Sequence, residues 1–131
     1  PHTCQSPPGK YITACDRAGC GTNGYNVNPQ GLGPNSTYKI NTQQPFRQSV
    51  TFTGSSIHVK FDQNGNTWEF EDCGNSQYIQ EMNEALDYGF VLVMSHWGST
   101  YSTMQWLDGK TGCSGDCDGS GFAKFSDFEI S

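Results

Sequence analysis

Apolar residues fall at every second position in Ile57, Val59 and Phe61, with His58 and Lys60 between them. That period of two predicts an antiparallel strand with one face buried and one wet. Similar short runs surround it: TYKIN and FRQSVTFTG before, NTWEFED after, where Trp68 alternates with Phe70 and is expected in the core. Gln63-Asn64-Gly65 between the last two runs is a hairpin signal, because a tight turn there needs residues that tolerate positive φ. From Ser76 to Asp87 the period lengthens, with Tyr78, Ile79, Met82 and Leu86 in helical spacing and Ser76 as a candidate N-cap. Phe90 to Met94 has no polar face, which predicts a strand buried on both sides. TMQWLD and GFAKFSDFEIS supply two more strands. Residues 1–35 are punctuated by Gly, Pro and Asn without either period, and read as a loop held by covalent links. The pattern predicts an all-β chain. It is expected to be one antiparallel β-sandwich domain over residues 1–131, with one short helix, the stapled loop region at 1–35 and the sandwich core at 36–131.

Length and composition support this reading. At 131 residues a single core is affordable, and only 15% of residues are charged. A net charge of −6 leaves no basic stripe to neutralise phosphates, so neither nucleic acid nor an anionic membrane surface is an expected partner. No apolar run reaches the roughly 18 to 20 residues that span a bilayer. The sequence opens at Pro1 without Met or a signal segment, which is expected of a mature secreted product.

Six cysteines, Cys4, Cys15, Cys20, Cys73, Cys113 and Cys117, favour disulfides in an oxidising compartment. A zinc site from Cys4, Cys15, Cys20 and His2 would lack the usual CxxC spacing, so no metal is expected there. The run Asp116 to Gly121, with Asp127 in the twelfth place, has the spacing of a calcium loop but a strand-like flank where a helix is needed. No pattern asks for a cofactor. Asn35 heads the triplet Asn35-Ser36-Thr37 beside Gly33-Pro34, a candidate glycosylation acceptor on a turn.

Several stretches resemble a known family. Pro1-His2-Thr3-Cys4, Lys10, the Cys15 and Cys20 pair in CDRAGCGTNGYN with Tyr25, and GFVLVMSHWGSTYSTMQWLDG resemble, in order, the later half of the fungal glycoside hydrolase family 7. That family comprises cellobiohydrolases and endoglucanases with a concanavalin-like jelly roll. The resemblance implies disulfides Cys4–Cys15 and Cys20–Cys73, leaving Cys113 with Cys117. It also implies that Trp97 and Trp106 are flat platforms for pyranose rings, and that His2 and Lys10 bond sugar hydroxyls at the cleft rim. Lys10 replaces an Arg of the family, so two-pronged bonding is lost. Ala18 and Asn26 replace further charged residues of its cleft.

The family's catalytic pair belongs to an ExDxxE strand upstream of PHxC, and no such string occurs in these 131 residues. Glu69 and Glu71 are the substitute candidates, two apart on a strand and so on one face, with Cα atoms roughly 6.5 to 7 Å apart. Glu81-Met82-Asn83-Glu84 falls on the helix instead, as a solvated face. Three functions are compatible with the sequence. The first is a secreted, non-catalytic cellulase-like protein that binds β-glucan or acts at a cell wall, with a fungal effector or elicitor perceived by a host as one form of it. The second is a glycoside hydrolase acting on β-1,4-glucan, either a fragment whose catalytic acids lie outside these residues or a reduced enzyme that uses Glu69 and Glu71. The third is a protein-recognition effector that binds no glycan. A monomer is expected in each case.

Overall fold

The computed structural model describes residues 19–87, 89, 94–96, 121–127 and 129. The chain divides into two compact units, Pro1–Phe90 and Val91–Ser131. In the first, the element order is α1 (Gly24–Val27), β1 (Leu32–Gly33), β2 (Ile40–Asn41), β3 (Arg47–Phe52), β4 (Ile57–Gln63), β5 (Asn66–Asp72) and α2 (Ser76–Leu86). The chain has a small all-β fold: the described residues form an antiparallel sheet in the order β3-β4-β5, a short parallel pair β1-β2 and, among them, one helix of more than a single turn.

The β4–β5 hairpin is built as its alternation and turn predict. Asn64 and Gly65 form a two-residue turn with φ of 49° and 83°, and pairing runs outward from Gln63↔Asn66 to Ile57↔Asp72. Both turn residues occupy the left-handed region, where Asn and Gly carry the smallest penalty. Ile57, Val59, Phe61 and Gln63 are all buried, while His58, Lys60 and Asp62 are half-buried on the other face.

Two apolar clusters form on the covered side. In the first, Ile40, Val59, Phe61 and Trp68 pack with Leu32 and Phe70, and the rings of Phe61 and Trp68 stack with centroids 5.4 Å apart. The indole lies against bare backbone: a Cβ added at Gly31 would come within 2.6 Å of it. Gln63 closes the edge of this cluster. Its Oε1 accepts from the Asn41 backbone N–H at 2.8 Å, and its Nε2 donates to the Asn41 and Pro45 carbonyls at 2.9 and 3.1 Å. A buried amide side chain thus continues the backbone ladder from β4 to β2, leaving its own polar atoms satisfied.

The second cluster joins Ile57, Cys73 and Ile79, with Cys20 and Tyr78 beside them. Cys20 and Cys73 form a disulfide across 53 residues, the pairing that the family resemblance implies. Cys73 has φ of 67°, an unfavourable setting for a non-glycine residue. It is held there by its N–H, which donates to the Thr22 hydroxyl at 3.1 Å and to Asp72 Oδ1 at 2.9 Å. Helix α2 then begins one residue earlier in function than expected: Asn75, not Ser76, is the cap, its Oδ1 accepting from the Tyr78 N–H at 3.1 Å.

Other expectations are corrected. The strand read in TYKIN is only Ile40–Asn41, and it pairs in parallel with β1. Within the 1–35 loop, Asn23 caps the single turn α1 by accepting from the Tyr25 N–H. Residues 121–127, read as the start of the last strand, have no strand structure. Phe122 is 89% exposed, and Asp127 turns the backbone out of the extended region at φ 58°. Met94, the end of the expected central strand, is also irregular and exposed, whereas residues 90–93 and the TMQWLD run lie outside the described residues.

Candidate functional site

The two glutamates proposed from the sequence lie on the open face of the antiparallel sheet. The register fixes what surrounds them. Three rows cross the strands on that face: Thr51, His58 and Glu71; Ser49, Lys60 and Glu69; Arg47, Asp62 and Thr67. Each acid on this face has a basic side chain directly opposite it, an arrangement that is favourable for cross-strand neighbours. The residues of β3 and both glutamates are exposed.

The rows differ in how far they are self-satisfied. Asp62 accepts from the Thr67 hydroxyl at 2.8 Å and pairs with Lys60 Nζ at 3.2 Å. The Thr67 hydrogen bond, and then the Lys60 ammonium, hold the Asp62 carboxyl below the ordinary carboxylate range. Lys60 therefore turns along its own strand to Asp62 rather than across to Glu69. Glu69, Glu71 and His58 make no hydrogen bond or ion pair among the described residues, which leaves their polar atoms to solvent or to a ligand.

Among the described residues, these side chains form an open, exposed sheet face rather than a cleft. Paired acids in a glycosidase flank a bound sugar, with carboxyl groups about 5 to 9.5 Å apart depending on mechanism, in a site that excludes water. The same-face placement of Glu69 and Glu71 on β5, with Cα atoms roughly 6.5 to 7 Å apart, is compatible with the first condition. No described element of this unit stands over them to meet the second. Among the described residues, no cluster of three or more His, Cys, Asp or Glu could hold a metal ion.

Of the other sequence-derived candidates, Asn35 is on an exposed turn between β1 and β2. His2, Lys10, Trp97 and Trp106 lie outside the described residues, as do Cys4, Cys15, Cys113 and Cys117. The pairing of His58 with Glu71 and of Lys60 with Glu69 was not among the sequence expectations. Counting outward from Asn64-Gly65 would have supplied it.

Comparison with known proteins points in one direction. The chain is 31% identical over 148 residues to endoglucanase 1 of Humicola insolens, covering 82% of this chain and 37% of that protein. It is 35% identical over 138 residues to endoglucanase EG-1 of Trichoderma longibrachiatum, covering 89% and 28%. The chain resembles the fungal family 7 glycoside hydrolases. An endo-beta-1,4-glucanase of Aspergillus oryzae adds 32% identity over 138 residues, covering 79% of this chain and 32% of that protein. The chain spans about a third of the length of these relatives. No family model matches it, and no solved structure does. No helix among the described residues is long and apolar enough to cross a membrane.

Proposed function

We propose that this chain is a secreted, cellulase-like β-sandwich domain that binds β-1,4-glucan and holds no hydrolytic centre of its own. The observation that carries the reading is the similarity to fungal endoglucanases across 79 to 89% of the chain. The relatives' names give the substrate class, a β-1,4-glucan. Trp97 and Trp106 offer the stacking faces, because an indole matches the apolar face of a pyranose and keeps a donor on its edge. His2 and Lys10 supply donors to hydroxyls at the rim. Perception of such a protein by a host, as an effector or elicitor, adds a protein partner to the same reading.

The non-catalytic part rests on two supports. The 131 residues contain no ExDxxE string, and Glu69 and Glu71 share an open sheet face. A second reading, hydrolysis through those two glutamates, is favoured by their same-face spacing and by the relatives' names.

Retention on insoluble cellulose tests the binding. The purified chain is expected to be depleted from solution by cellulose, and the Trp97→Ala variant to remain in the supernatant. A wild-type chain that stays in solution with both cellulose and chitin would contradict the proposal and favour a protein-recognition role.

A further inference from the structure

We propose that Asn35 carries an N-linked glycan, a modification separate from any glucan binding. Asn35-Ser36-Thr37 is the single Asn-x-Ser/Thr triplet with a non-proline middle residue in the chain. It occupies the tip of the loop that joins β1 to β2, and residues 34–37 are all exposed. The base of this loop is fixed and its tip is not covered. At the base, the Tyr38 ring lies so close over Gly33 that an added Cβ would stand 2.4 Å from it. Lys39 N–H also donates to the Gln30 carbonyl at 2.9 Å.

The geometry at the tip suits an acceptor amide. Asn35 Oδ1 accepts from the Thr37 backbone N–H at 2.9 Å and from the Thr37 hydroxyl at 2.6 Å. A backbone N–H can donate only to the oxygen of the amide, so these bonds fix which end is Nδ2. Nδ2, the reacting atom, makes no hydrogen bond among the described residues, on a residue that is itself exposed. The turn spans three residues and needs no tertiary partner. It is therefore available to a chain that has not finished folding.

The transfer balances with a lipid-pyrophosphate-linked oligosaccharide as donor. A bond forms between Nδ2 and C1 of the reducing-end sugar, the C1–O bond breaks with its electron pair leaving on the lipid pyrophosphate, and one amide proton is lost to a base. This donor belongs to the secretory pathway, the same oxidising route that the Cys20–Cys73 disulfide suits. Placement matters as well. Gly31 and Ile40, on either side of the loop, pack on Trp68 at the covered face of the sheet. A glycan at Asn35 therefore belongs to the layer on the far side of the sheet from His58, Glu69 and Glu71.

The test supplies the compartment, so that it does not depend on the native secretion of this protein. The full chain is expressed behind a secretion leader in a eukaryotic host, and both medium and cell-associated fractions are analysed. Treatment with a glycan-releasing amidase is expected to abolish a gel-mobility shift and to leave Asp at position 35 in the corresponding peptide. Thr37→Ser is expected to keep the shift, whereas Thr37→Ala and Asn35→Gln are expected to lose it. Unmodified Asn35 as the sole form in both fractions would overturn the proposal. So would a shift that survives in the Thr37→Ala variant.

Discussion

The two faces of the β3-β4-β5 sheet are made from alternate residues of the same strands, yet they have divided the work of the molecule. On the covered face, Ile57, Val59, Phe61 and Trp68 are removed from water, and Gln63 is buried with its polar atoms bonded to backbone. On the open face, Glu69, Glu71 and Arg47 are exposed and Lys60 is half-buried, each strand contributing charge to a mixed surface. Strand β3 shows where the division weakens: it is exposed on both faces, with Val50 and Phe52 at 44% and 48%. The lesson is that the apolar packing of this unit is carried by one face of the sheet and its charge by the other. A change on the covered face costs much more folding energy than one on the open face.

The sharpest way to break the comparison is Trp68→Ala. It removes the indole between Phe61, Phe70 and Gly31, and it is expected to cost about 3 to 5 kcal/mol in chemical denaturation. A cost below about 1 kcal/mol would mean that the covered face is not the core. Gln63→Leu comes next. It keeps the bulk but leaves the Asn41 N–H and nearby carbonyls without their partner, an expected loss of about 1 to 3 kcal/mol. On the open face, Glu69→Gln with Glu71→Gln is expected to move stability by no more than about 0.5 kcal/mol per site.

The smallest effect is electrostatic. Because Asp62 has a lowered folded-state pKa, its contribution to stability is complete above the ordinary carboxylate range and is lost as pH falls through the lowered value. Thr67→Val removes the largest cause. The Asp62 carboxyl titration followed by NMR is then expected to move up, toward the ordinary range, with little change in stability at neutral pH.

Where local chemistry decides, the sequence was a good guide. The β4–β5 hairpin was legible because period-two burial and Asn64-Gly65 agree, and local and tertiary preferences point the same way. Helix α2 was legible from its 3.6-residue period, while its cap moved to Asn75 because capping depends on which side-chain oxygen reaches a free N–H. Two failures have a common cause. TYKIN and residues 121–127 alternate convincingly, but alternation does not show whether a neighbouring strand is there to pair with. In the first case the turn from Asn35 takes up Thr37 and Tyr38 at the start of the run, and in the second Asp127 leaves the extended region. For the candidate site, the shared face of Glu69 and Glu71 was visible in their spacing. The openness of that face was not, because it depends on what the rest of the chain places above it.

The most direct test of the account is the release of reducing ends from a soluble β-1,4-glucan by the purified 131-residue chain, measured beside its Glu69→Gln/Glu71→Gln double variant. The account predicts no release above the no-protein control from either. Release by the wild-type chain that disappears in the double variant would contradict it, and would make the open face a catalytic one.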